Sequence, residues 1–203
     1  MKIRHIKRFF IPTALNLKNY NYTKKWFIGS DLEMNLFKHF EQDQVNNILE
    51  IGSFEGLSGC WFSDYFLDNE KSTLFCVDPF LITGKKETAT TIVRTNTETL
   101  FRENIKKSKN YKKCSIYKMS SKQFFKQNNL FFNLIFIDGS HHPEDIYFDM
   151  KCSFDLLTND GVMWMDDYKQ NNDTKMAMNK FLEEKKGLYE LLHKRYQLAI
   201  RKK

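Results

Sequence analysis

From residue 47 onward, apolar runs of strand length alternate with segments of helical periodicity. Strands are expected over 47–51, 73–77, 115–119, 132–137 and 161–165. Helices are expected over 57–67, 97–107, 121–127, 143–157 and 173–186. The runs TLFCV and FNLIFI are almost continuously apolar, as strands buried on both faces of a parallel sheet must be. Two last strands, over 188–193 and 196–200, are joined by a turn too short for a crossover, so they must pair antiparallel. The sum is an α/β fold. It is a doubly wound, mostly parallel sheet of seven strands with helices on both faces and a C-terminal antiparallel hairpin. Such sheets bind ligands beyond the carboxyl ends of their strands. That rule directs attention to the residues after Ile51, Val77, Met119, Ile137 and Met165.

Charge and composition narrow the class further. Residues 1–30 carry seven Lys and Arg and no Asp or Glu, and the rest of the chain carries 25 of each sign. Lys194, Arg195, Arg201, Lys202 and Lys203 add a basic C-terminus. The net charge of +7 therefore describes two basic ends on a mildly acidic body, not a uniformly basic nucleic-acid binder. The expected organisation is a basic arm over 1–30 and one domain over 31–203. A hydrophobic content of 41% excludes a disordered chain. No apolar run approaches the ~20 residues of a membrane span, and the N-terminus lacks the apolar core of a secretory signal. Cys60, Cys76, Cys114 and Cys152 show no zinc-site spacing. Free thiols in a reducing, cytoplasmic setting are expected.

The strand ends hold the candidate chemistry. After the first strand comes Glu50-Ile51-Gly52-Ser53-Phe54-Glu55-Gly56-Leu57-Ser58. A glycine-rich turn between strand and helix lets a ligand approach the backbone. The G-x-G-x-x-G dinucleotide pattern is absent, which counts against a nicotinamide enzyme. Glu50 would repel a pyrophosphate and tolerate a cationic ligand; an ordinary βα turn is the alternative. Asp78 ends the second strand, where a carboxylate can accept hydrogen bonds from ribose hydroxyls. Ser120 could face an adenine ring or simply cap a helix. Asp138 and His141 follow the fourth strand, and Asp166 and Asp167 the fifth. Three carboxylates at one rim repel one another unless a cation joins them, and all-oxygen ligation suits Mg²⁺, Ca²⁺ or Mn²⁺. His141 has a side chain able to act as a base near neutral pH, whereas His142 before Pro143 reads as a helix start.

Taken together, LEIGSFEGLS, VDPF and FNLIFIDGSHH with GVMWMDDY resemble the class I S-adenosylmethionine-dependent methyltransferases. The last two segments are similar to the metal-site segments of catechol O-methyltransferase-like enzymes, including the group that methylates macrolide and aminocoumarin sugars. The resemblance implies a Rossmann-like fold and S-adenosylmethionine as cofactor. It implies that Glu50, Gly52, Ser53, Phe54 and Gly56 line the methionine part, with Ser58 among the cofactor residues. Asp78 would then hold the ribose and Ser120 would lie near adenine. Asp138, Asp166 and Asp167 would hold Mg²⁺, with Asp138 and His141 serving catalysis. The implied acceptor is a hydroxyl of a small molecule or sugar. Phe80 and the Thr- and Lys-rich loop 79–96 depart from the family pattern, and the larger N-terminal region of the sugar-modifying enzymes is missing. That loop and the aromatic stretch from Tyr20 to Phe27 are candidate acceptor lids. RNA or cap methylation, and a non-catalytic cofactor-binding role, are the alternatives. Oligomeric state stays open.

Overall fold

The computed structural model describes residues 19–81 and 96–203. Among these, a short helix α1 (Asp31–Asn35) precedes β1 (Asn47–Ile51), α2 (Leu57–Phe66) and β2 (Thr73–Val77). Then follow α3 (Thr97–Lys107), β3 (Cys114–Tyr117), α4 (Ser121–Gln127), β4 (Phe132–Ile137) and α5 (Pro143–Leu156). The chain ends with β5 (Leu157–Met165), α6 (Asn172–Glu184), β6 (Tyr189–Lys194) and β7 (Leu198–Lys202). The strands form one sheet in the order β3-β2-β1-β4-β5-β7-β6. The first five run parallel, and β7 pairs antiparallel with both β5 and β6. This is the seven-stranded, Rossmann-like doubly wound architecture expected from the alternating pattern.

Strand side chains alternate between two cores, as the two-residue period requires. Ile48, Leu134, Phe136, Val162, Trp164 and Ala199 face the layer of α1 to α3, where Trp61, Phe62, Phe66 and Phe101 are buried. Leu49, Ile51, Ile135, Ile137, Met163, Met165 and Ile200 face the opposite layer, with Phe154, Met178 and Phe181. The same parity directs Glu50 toward α2.

Among the boundaries that differ from the sequence reading, three have a visible local cause. The third strand stops at Tyr117 rather than residue 119, because Tyr117 C=O accepts from both Asp78 N–H and Met119 N–H. The fifth begins at Leu157 rather than 161; its register against β4 shifts around Asp160, whose φ is +60°. The last strand begins at Leu198 rather than 196, since Arg195 N–H donates to Gln197 C=O and closes the turn (2.9 Å). Residues 82–95 of the candidate lid loop, and 1–18 of the basic arm, lie outside the described residues.

The described part of the arm packs onto the fold. Tyr20 Oη–H donates to Asp64 (2.7 Å), and the Asn104 side chain bridges both backbone groups of Asn21 to Glu55 C=O. Thr23 donates from its N–H and its hydroxyl to Glu55. Phe27 is buried against Trp61. Among the described residues, no helix is long and apolar enough to cross a membrane. All four cysteines are free thiols.

Candidate active site

The central strands end in register, with Ile51 beside both Val77 and Ile137, and Ile137 beside Met165. The ladder continues one step past the strands. Gly52 N–H donates to Val77 C=O, Asp138 N–H to Ile51 C=O and Asp166 N–H to Ile137 C=O. The backbone therefore carries the chemistry-bearing residues to one rim of the sheet.

The glycine-rich turn is built around two carboxylates. Asp78 Oδ2 accepts from Ser53 N–H (2.8 Å) and Phe54 N–H (2.9 Å), and Oδ1 accepts from Phe80 N–H (2.6 Å). Glu50 is fully buried on the α2 side, where its two oxygens accept from the hydroxyls of Ser53 and Ser58. The structure thus joins Glu50, Ser53, Phe54, Ser58 and Asp78 into one network. Gly52 takes φ +86°, and a Cβ there would stand 2.0 Å from Asp138 carbonyl oxygen. Gly56, at φ +84°, lies against the Phe101 ring, 2.9 Å from where a Cβ would be. Only residues without a side chain meet both demands. Ser120 stands apart from this network. It caps α4 in a reciprocal capping box with Gln123. Exposed Trp26 stacks on Phe54 at 5.3 Å, so the N-terminal stretch borders the turn.

Burial pushes Glu50 up to about 7, outweighing the hydrogen bonds from Ser53 and Ser58 that favour its charge. A folded value above the unfolded one, about 4.3, means that the native state holds the extra proton. This contribution to stability is fully present below the unfolded value and is lost as pH rises through about 7. Glu50→Gln should remove it. Melting temperature should then decline less between pH 5 and pH 8 than in the wild type. An unchanged decline would assign the dependence to another group.

Asp138, Asp166 and Asp167 offer ligand oxygens that all lie within 4.8 Å of one another. Burial, and then the charges of Asp166 and Asp167, raise Asp138 well above the carboxylate range. Burial also raises Asp166, more than the Gln197 hydrogen bond lowers it. Burial acts on Asp167 too, but hydrogen bonds from His141 and Tyr196 outweigh it and hold that carboxyl low. Asp167 adopts φ +60°, a left-handed backbone unusual outside glycine, Asn and Asp. Burial is the main cause of the raised Asp138 and Asp166 values, and the charges of the neighbouring carboxylates add to it. The donor set fits a hard divalent ion and is unsuited to zinc.

His141 Nδ1 lies 2.8 Å from Asp167 Oδ2. His142 is the N-cap of α5, followed by Pro143 in the first turn. The loop between them and β4 is held by Ser140, which donates to Asp145 Oδ2 and accepts from His142 N–H. Sequence reasoning missed four residues of this rim. Gln197 and Tyr196 donate to Asp166 and Asp167, and Glu55 and Asn104 tie the N-terminal stretch beside the glycine-rich turn.

A family model described as a methyltransferase domain matches residues 49–168. The chain belongs to that family. It is an S-adenosylmethionine-dependent methyltransferase with the class I fold. Solved methyltransferase structures share the architecture at low identity. The O-methyltransferase TomG from Streptomyces achromogenes, involved in tomaymycin synthesis and solved with S-adenosylmethionine, is 13% identical. The match covers 78% of this chain and 73% of that one, at a TM-score of 0.58. An O-methyltransferase from Bacillus cereus, solved with S-adenosylhomocysteine, is 15% identical over 77% and 74%, with a TM-score of 0.54. A Clostridium thermocellum protein whose proposed activity is rRNA methylation is 10% identical over 77% and 86%, with a TM-score of 0.59. No curated protein matches this methyltransferase by sequence.

Proposed function

We propose that the enzyme transfers a methyl group to a hydroxyl oxygen of a small molecule or sugar, with Mg²⁺ as the divalent cation. The carrying observation is the set of three carboxylates within 4.8 Å, at the strand ends that flank the glycine-rich turn. In this reading residues 31–203 form one catalytic domain, residues 1–30 a basic arm, and the protein works in the cytoplasm.

Glu50, Gly52, Ser53, Phe54, Gly56 and Ser58 form or brace the turn that receives the methionine end of the cofactor. Asp78 takes the ribose hydroxyls, and Ser120 lies on the adenine side. S-adenosylmethionine supplies a methyl group already activated as a sulfonium substituent. Asp138, Asp166 and Asp167 would hold the cation, which would supply Lewis-acid polarisation of the acceptor hydroxyl. The residues then have to orient the acceptor and accept one proton. Asp167 takes a hydrogen bond from His141 Nδ1, so the basic nitrogen of the neutral ring is Nε2. Nε2 would accept the hydroxyl proton, so that the acceptor oxygen could receive the methyl group as a methyl ether, with S-adenosylhomocysteine as the second product.

His141→Ala should lower kcat by about 100-fold, the low end for loss of a positioned base. It should also remove the acid limb of the rate profile across pH 6–9, while S-adenosylhomocysteine affinity stays unchanged by calorimetry. Wild-type kcat throughout that range would eliminate the base role. Salt-sensitive RNA binding by the purified protein would instead favour a nucleic-acid acceptor.

A further inference from the structure

The turn between β6 and β7 reaches the acidic rim, and two of its three residues meet two consecutive carboxylates. Tyr196 Oη–H donates to Asp167 Oδ1 (2.8 Å), and Gln197 Nε2–H donates to Asp166 Oδ1 (2.7 Å). The register explains the match: Met165 pairs with Leu198, so the residue after one faces the residue before the other. Tyr196 is exposed, whereas Gln197 is 1% exposed and held from every side. Its Oε1 accepts from Trp164 Nε1–H (2.8 Å) and Leu32 N–H (2.6 Å), and its own N–H donates to Asp31 Oδ2 (3.2 Å). With two N–H donors on Oε1, the amide cannot flip, so Nε2 must present its hydrogens to Asp166. Asp31 and Leu32 belong to α1, and Asp31 Oδ2 also faces His193 Nε2 at 3.0 Å. A continuous set of hydrogen bonds therefore runs from α1 to the acidic rim.

We infer that Gln197, assisted by Tyr196, is a positioning residue that presents the Asp166–Asp167 pair to a divalent cation and couples cation affinity to the docking of α1. The inference rests on the cation reading above. Both donors settle on Oδ1 atoms, so the rotation of each carboxylate is fixed before any cation arrives. Partners that orient ligating groups in this way are typically worth about 10- to 100-fold in metal affinity.

The test is a calorimetric titration of the full chain with Mn²⁺, alongside one with S-adenosylhomocysteine. Gln197→Met keeps the length of the side chain and removes its polar groups. It should weaken Mn²⁺ binding about tenfold or more, with S-adenosylhomocysteine affinity within about twofold of wild type. Tyr196→Phe loses one hydroxyl from an exposed ring and leaves the core untouched. It should weaken Mn²⁺ binding severalfold, and it carries the test alone if Gln197→Met does not fold. A purely structural role would lower melting temperature and weaken both ligands together. Wild-type Mn²⁺ affinity in a folded Gln197→Met, or in Tyr196→Phe if only that variant folds, overturns the inference. Failure of the wild type itself to bind Mn²⁺ is a different result, which refutes the cation reading and the inference with it.

Discussion

Chelation with EDTA is expected to reduce methyl transfer by at least about 100-fold while S-adenosylhomocysteine still binds. Polarisation of an acceptor oxygen by a cation is worth several kcal/mol, and each ~1.4 kcal/mol is a factor of ten in rate. The two proposed sites use different carboxylates. The glycine-rich turn is held by Asp78, which accepts from the N–H groups of Ser53, Phe54 and Phe80, and by Glu50, which accepts from the hydroxyls of Ser53 and Ser58. The cation would be held by Asp138, Asp166 and Asp167 at the neighbouring strand ends. Removing the cation should therefore slow the reaction without emptying the cofactor site. Restored turnover on adding excess Mg²⁺ would show that the loss is due to the metal. Full turnover in EDTA would leave the three carboxylates without the role proposed for them.

Gly52→Ala is expected to lower the melting temperature by roughly 10 °C, a loss of about 3 kcal/mol or more for a chain of this size. Its Cβ would meet Asp138 carbonyl oxygen at 2.0 Å and carbonyl carbon at 2.5 Å, and both are backbone atoms. Relief would require parting β1 from β4, where Asp138 N–H donates to Ile51 C=O at 2.8 Å. The left-handed φ adds a cost of its own. Gly187→Ala is the control: its φ is +87°, but nothing lies within 4 Å of its Cβ. That variant should lose only the strain component, about 1 kcal/mol. Differential scanning calorimetry of the two compares close approach with backbone strain directly. Equal losses would mean that the approach of Gly52 to Asp138 does not matter.

The fold was legible because its signals are local. Uninterrupted apolar runs such as Phe132–Ile137 have one physical meaning when helices alternate with them. The placement of Asp78, Asp138, Asp166 and Asp167 at one rim followed from the strand ends alone. Glu50 was legible as a charge beside a glycine-rich turn, but its full burial beneath α2 depends on strand parity and on Ser58 in the following helix. Gln197 was not legible. An antiparallel hairpin at the C-terminus is written in the sequence, but its partner strand is not. Only the β5–β7 register brings Gln197 to Asp166. Asn104 and Glu55 escaped for the same reason. Their partners Asn21 and Thr23 are far away in sequence, and the spacing carries no motif.

The most direct measurement is a crystal structure of the protein with S-adenosylhomocysteine and Mn²⁺, using the anomalous signal of the metal. One strong anomalous peak is expected at the carboxylates of Asp138, Asp166 and Asp167. An ordered cofactor product with no anomalous peak at those three residues would contradict it.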